Sequence, residues 1–108
     1  METLTEKIVC SAIWYKELPN SNFKPKNIDK GIVVAGLRHA NCIDIVKSLA
    51  NLRTVKNSPD GVGGTIQGFL TNKNRFVDRI EGAGIALSSG QIEKLSYSTN
   101  ELFSEDLY

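Results

Sequence analysis

Ile66-Gln-Gly-Phe-Leu-Thr-Asn-Lys-Asn-Arg-Phe-Val-Asp-Arg-Ile-Glu81 carries a strand, a turn and a helix start in one passage. Ile66 to Thr71 reads as a strand, and Asn72-Lys-Asn-Arg75 has the polar, Asn-rich composition of a hairpin turn before Phe76 and Val77. Asp78-Arg79-Ile80-Glu81 then opens a helix by capping-box logic: the Asp side chain accepts from the N3 amide, and Glu81 reaches back to the N-cap amide. Ile80, Ala83, Ile85, Ala86 and Leu87 supply the buried side, and Gly90 is placed to stop the helix in the left-handed conformation. Gly82 and Gly84 work against that helix, each costing about 1 kcal/mol relative to Ala in an interior position. Close packing against a strand or another helix explains them more simply than function does.

Upstream, Lys7-Ile-Val-Cys-Ser-Ala-Ile-Trp-Tyr15 is short, free of Gly and Pro, and rich in β-branched and aromatic residues, which favours a strand. Ile8, Cys10, Ala12 and Trp14 share one side and Val9, Ile13 and Tyr15 the other, so the strand is expected to be central or covered on both faces. Residues 18–30 hold two prolines and read as a loop. Gly31 to Leu37 is a continuous apolar run of buried-strand type. From Cys42 a helical stripe recurs at Ile45, Val46, Leu49 and Leu52, with Asn41 as N-cap and Asp44 three residues on. That helix gives out near Arg53, ahead of the Pro- and Gly-containing stretch 57–64, a long loop or a closing lid. The tail, 91–108, suggests a short strand and a docked terminus. The pattern as a whole predicts an α+β fold, a small antiparallel or mixed sheet with two main helices, in one domain spanning 1–108.

Size and composition agree with one domain. The chain has 108 residues, of which 41% are hydrophobic and 23% charged, values ordinary for a globular protein. Thirteen Lys and Arg face twelve Asp and Glu, a net charge of +1, so no global basic field points to a nucleic-acid polymer. Two cysteines and one histidine fall short of a zinc pattern or a disulfide scaffold, and neither metal nor cofactor is expected. The first residues lack the apolar stretch of a signal peptide, and no apolar run reaches the roughly 18 residues of a membrane span. A cytosolic protein with reduced thiols is the expectation, with no membrane partner.

Two places repeat one design, a strand running through a short polar segment into a helix N-terminus with cations at the junction. Arg38 and His39 mark the first, Arg75 and Arg79 the second. Helix-start amides and the helix dipole favour anions, and an arginine fork adds a bidentate phosphate contact, so a small phosphorylated ligand is the natural expectation. Phe76, between the two arginines, is a candidate to stack on a base, while Thr71, Asn72 and Asn74 offer neutral donors and acceptors. The alternative is a solvated turn with a core Phe and arginines paired to Asp78 or Glu81. For catalysis, His39 is the sole conventional base near neutral pH, and it pairs with Cys42 only if both face one pocket; a buried structural cysteine is the commoner case. Hydrolase, Walker and dinucleotide motifs are lacking, so a non-catalytic binder is easier to support than a nucleotide hydrolase or transferase. A structural or regulatory protein without a small-molecule ligand is the third reading.

The N-terminal strand Lys7–Tyr15, the Gly36-Leu-Arg-His39 step into a helix and Gln67–Arg79, continuing through Glu81, Ala83, Ile85, Ala86 and Gly90-Gln91, resemble the first type of phage-encoded Thoeris anti-defence proteins. The ending Leu102-Phe-Ser-Glu-Asp-Leu-Tyr108 adds to the likeness; the first loop and the Gly-rich loop are not part of it. The resemblance implies a homo-oligomeric α+β sponge, a dimer or higher up to a hexamer. Such a sponge binds cyclic ADP-ribose isomers made by bacterial TIR-domain enzymes, and in some members cyclic oligonucleotides, and sequesters them without cleavage in the cytoplasm of the infected host. The family's ligand positions carry over as types: an aromatic on adenine, for which Phe76 is the match, and cations on the phosphates, for which Arg38, His39, Arg75 and Arg79 are the matches. Thr71 and Asp78 follow as hydrogen-bond partners of the ribose or of those arginines.

Overall fold

A computed structural model describes residues 5–18, 22, 24–49 and 65–108. β1 (Ile8–Tyr15) is the centre of the sheet because its residues can serve two apolar faces at once. β2 (Ile32–Gly36) pairs with one side of it and β3 (Thr65–Thr71) with the other, and β4 (Phe76–Asp78) follows β3 through a hairpin. The order is β2-β1-β3-β4 and every pair is antiparallel, the first of the two expected sheet types. In the β3–β4 turn Asn74 takes φ 57°, the left-handed position that closes a three-residue hairpin loop.

Both main helices lie on one face. α1 (His39–Leu49) lays Cys42 and Val46 against Ile13 and Tyr15, while α2 (Arg79–Ser88) lays Ala83 and Ala86 against Ile8, Phe69 and Val77. The other face carries Ala12, Trp14, Val33, Ile66, Leu70 and Phe76, part-covered by Ile28 from the first loop. Leu102, fully buried beneath α2, ties the tail to the core. No described helix is long and apolar enough to cross a membrane.

Several local expectations shift. A bulge between Ile8 and Cys10 breaks strict alternation in β1, so Ile8 joins the helix-side core and Val9 is left 59% exposed. α1 starts at His39 rather than after Asn41, and the Asn41 side chain reaches back to accept the Arg38 amide at 2.9 Å. Its buried stripe is His39, Cys42 and Val46, with Ile45 turned outward; Leu52 and the stretch 57–64 lie outside the described residues. Of the capping box expected at α2 only the Asp78 half forms: Asp78 accepts from the Ile80 and Glu81 amides, Glu81 turns to Arg75 instead of the N-cap amide, and Gly90 ends the helix at φ 78°. Ile80 and Leu87 are nevertheless exposed, because Gly82, Ala83 and Ala86 form the face against the sheet. The described tail holds no strand; it forms α3 (Ser104–Leu107), with Asp106 accepting the Phe103 amide at 3.0 Å and the Ser96 amide at 2.9 Å.

Candidate functional site

The two strand-to-helix junctions, far apart in sequence, meet in space. His39 opens α1 and Arg79 opens α2, and Arg79 Nη2 lies 3.4 Å from His39 Nδ1. They converge because β2 and β4, at opposite edges of the sheet, both lead into helices that cross back over the same face.

The poles of the two helices differ. At α2 the exposed Asp78 occupies the first amides with its own carboxylate, so that pole is already neutralised. At α1 there is no acidic residue in the first turn; the carboxylate that acts at this end is Glu105 from the tail, 4.0 Å from Arg38 and favouring the charged form of His39. Arg79 reaches across to this end.

Arg79 is held by neutral acceptors alone. Nη1 donates to the Leu102 carbonyl at 2.9 Å and Nη2 to Gln67 Oε1 at 2.7 Å, while the guanidinium sits 4.5 Å over the Phe103 ring. Among the described residues no carboxylate comes within ion-pair distance of it. Half-burial lowers its pKa, with the more distant Glu101 and Glu105 opposing, yet a guanidinium keeps its charge in any protein environment. A cation fixed this way retains charge for an anion.

His39 is 8% exposed, edge-on to Phe69, and its Nε2 is 2.7 Å from the Gly68 carbonyl. A carbonyl can only accept, so Nε2 carries the proton and Nδ1 offers its lone pair to Arg79. Burial pulls the imidazole below its ordinary range; the Gly68 bond opposes this and the Arg79 charge reinforces it. Gly68 is the one residue that fits here, since an added Cβ meets Val77 O at 2.0 Å. Cys42 is in the core, its thiol pushed up to about 11 by burial, and it bonds weakly to the Ser11 and Arg38 carbonyls rather than to His39.

Arg38 points the same way as Arg79 but is tied to the tail. Its guanidinium donates to Ser104 Oγ at 3.2 Å and to the Tyr108 backbone oxygen, lies over the Tyr108 ring, and has Glu105 at 4.0 Å.

The remaining sequence candidates gather elsewhere. Arg75 forms a fork on Glu6 (2.8 and 3.2 Å) and a further bond to Glu81 (2.5 Å), and Thr71 Oγ1 donates to the same Glu6 at 2.8 Å. Those carboxylates raise the Arg75 pKa, and Arg75 in turn draws Glu6 below the usual carboxylate range. Arg75 is thus spoken for, the ion-paired turn that the sequence held as its alternative. Phe76 does not stand between the arginines: strand alternation sends it to the opposite face of the sheet, where it is 5% exposed and edge-on to Trp14 at 6.1 Å. The aromatic under Arg79 is instead Phe103, edge-on to Tyr97, which is 65% exposed. Gln67, Phe103 and Ser104 complete the cluster and carry no sequence motif that marks them.

A family model described as "Phage T4 y16D protein" matches residues 7–108. No curated protein and no solved structure matches the chain.

Proposed function

The chain belongs to the phage T4 y16D family, and from that premise we propose that this phage protein is a sponge for a phosphorylated cyclic nucleotide. Its site is the start of α1, where Arg79, Arg38 and the helix pole meet. The observation that carries the reading is Arg79, a fixed guanidinium with only neutral partners beside a helix N-terminus without an acidic residue. Phosphate is the group that uses both features at once. Phe103 and Tyr97 supply apolar ring faces within the same cluster for a base.

The likeness to the first type of Thoeris anti-defence proteins narrows the ligand to cyclic ADP-ribose isomers, with cyclic oligonucleotides as a second class. Holding is favoured over cleavage because both His39 nitrogens already have partners, Nε2–H on the Gly68 carbonyl and the Nδ1 lone pair towards Arg79, which leaves no free imidazole lone pair at the cluster. A sponge acts by equilibrium capture in the host cytoplasm, so it must bind its signal more tightly than the receptor does, at ~1.4 kcal/mol for each tenfold. Sharing the ligand between subunits of a homo-oligomer supplies burial that a chain of this size lacks alone.

The test is recovery. The protein is incubated with a cyclic ADP-ribose isomer, separated from free nucleotide, and heat-denatured. Intact nucleotide released from the pellet is the expected result; a new product contradicts sequestration, and no retained nucleotide contradicts binding.

A further inference from the structure

Residues Leu102 to Tyr108 lie across the α1 junction. Leu102 is fully buried and its amide donates to the Arg79 carbonyl at 2.9 Å, which seats the start of this segment, while Leu107 packs against the core further on. The segment serves both arginines in turn. Arg79 meets the Leu102 carbonyl and the Phe103 ring; Arg38 meets Ser104 Oγ, the Tyr108 ring and the Tyr108 backbone oxygen. The Tyr108 hydroxyl closes the arrangement by donating to the Leu37 carbonyl at 2.7 Å.

One carboxylate of this segment faces the cations. Ser104 Oγ accepts from Arg38 Nη1 at 3.2 Å and donates to Glu105 Oε1 at 3.2 Å, and that oxygen is itself 4.0 Å from Arg38 Nη1. The same charge favours the ionised forms of His39 and Arg79, so it is felt by every cationic side chain of the cluster. Its hold on Arg38 is loose. The Glu105 side chain is 56% exposed and meets the guanidinium through one oxygen beyond hydrogen-bond length, whereas a phosphate can take the guanidinium fork through two.

We propose that the Glu105 carboxylate stands in for a ligand phosphate at the start of α1 in the free protein, and that the ligand displaces it and takes over Arg38. The proposal rests on the nucleotide reading of this site and adds its regulation, a competitor built into the chain. Little has to move for the exchange. Only the exposed Glu105 side chain turns away; Ser104, which is buried, stays seated, as do the Leu102 and Phe103 contacts that fix Arg79.

The experiment is calorimetric titration of a cyclic ADP-ribose isomer into the full-length wild type, Glu105→Gln, Glu93→Gln and Arg79→Ala. Glu105→Gln keeps an acceptor for Ser104 Oγ and removes the charge, and Glu93→Gln removes the same charge from an exposed position outside the cluster. Release of an exposed pair predicts that Glu105→Gln binds about two- to fivefold more tightly, with Glu93→Gln at the wild-type affinity. Carboxyl-carbon NMR gives a second readout. In the free protein the Glu105 carboxyl is held below its ordinary 4.5 by its own amide first, then by Ser104 and the Arg38 and His39 charges, with slight desolvation opposing. With nucleotide bound it should titrate higher, because Arg38 is taken and a negative group is added nearby. Affinity in Glu105→Gln at or below wild type, a gain matched by Glu93→Gln, or a Glu105 titration unchanged by nucleotide overturns the proposal. When Arg79→Ala still weakens binding, such a result removes the stand-in and leaves the site. No binding by the wild type, or wild-type affinity in Arg79→Ala, removes the site and the stand-in with it.

Discussion

Two glycines of α2 two residues apart should respond to alanine with opposite signs. A Cβ at Gly84 meets nothing within 4 Å, so Gly84→Ala collects the helix-propensity gain of about 1 kcal/mol at no steric cost. For a domain of this size that corresponds to roughly 4–8 °C in Tm. At Gly82 the same Cβ lies 3.1 Å from Phe69 Cδ2 and 3.5 Å from Leu102 Cδ2. Both side chains are fully buried and have little room to yield, so overpacking of about 1–3 kcal/mol is set against the same gain. The net for Gly82→Ala is between zero and about 2 kcal/mol of destabilisation, leaving the two variants at least ~1 kcal/mol apart. Thermal melts followed by circular dichroism, with urea unfolding to confirm that m is unchanged, read the difference directly. Equal stabilisation by both substitutions would refute the reasoning, because α2 would then not press its Gly82 face onto Phe69.

Asp78→Ala should cost about 1 kcal/mol in urea unfolding, since two α2 amides lose their acceptor, whereas Asp78→Asn should retain most of that stability. Gly68→Ala should lower stability by ~3 kcal/mol or more, because its Cβ falls 2.0 Å from the Val77 carbonyl and 2.9 Å from Phe76 Cζ; a wild-type melt would contradict the β3–β4 packing. The His39 imidazole has a folded pKa below its ordinary 6.5, so the unfolded chain takes up the proton first. Its contribution is therefore intact above about pH 6.5 and is lost as pH falls through the lower folded value, a slope that His39→Gln should remove. The Glu6 carboxylate is also held low, but its ordinary value is 4.5, so its loss begins in more acidic solution and persists in His39→Gln.

Local chemistry was legible where one or two turns of chain decide the outcome. The Asp78 cap, the Gly90 stop, the Asn-rich hairpin and the central placement of β1 all follow from residues within hydrogen-bonding reach in sequence. What escaped depends on distant partners. One extra residue at the β1 bulge reverses the face of Ile8, and no local signal announces it. Ile45 and Ile80 fit a helical stripe yet face solvent, because the sheet below chooses smaller or differently placed neighbours. Phe76 sits beside two arginines in sequence but alternation along β4 takes it to the other side of the sheet. Conversely, His39 and Arg79 are 40 positions apart, and only the crossing of both helices over one face brings them together. Arg75 and Arg79 look equivalent in the sequence; Glu6, from the start of the chain, separates the neutralised one from the open one.

That separation makes the central claim measurable. Calorimetric titration of a cyclic ADP-ribose isomer into the wild type, Arg79→Ala and Arg75→Ala places the phosphate contact at one arginine or the other. A charge-assisted bond worth about 1.5–3 kcal/mol predicts that Arg79→Ala binds roughly 10- to 150-fold more weakly, with Arg75→Ala close to wild type. Wild-type affinity in Arg79→Ala, or a loss confined to Arg75→Ala, would contradict a nucleotide site at the start of α1.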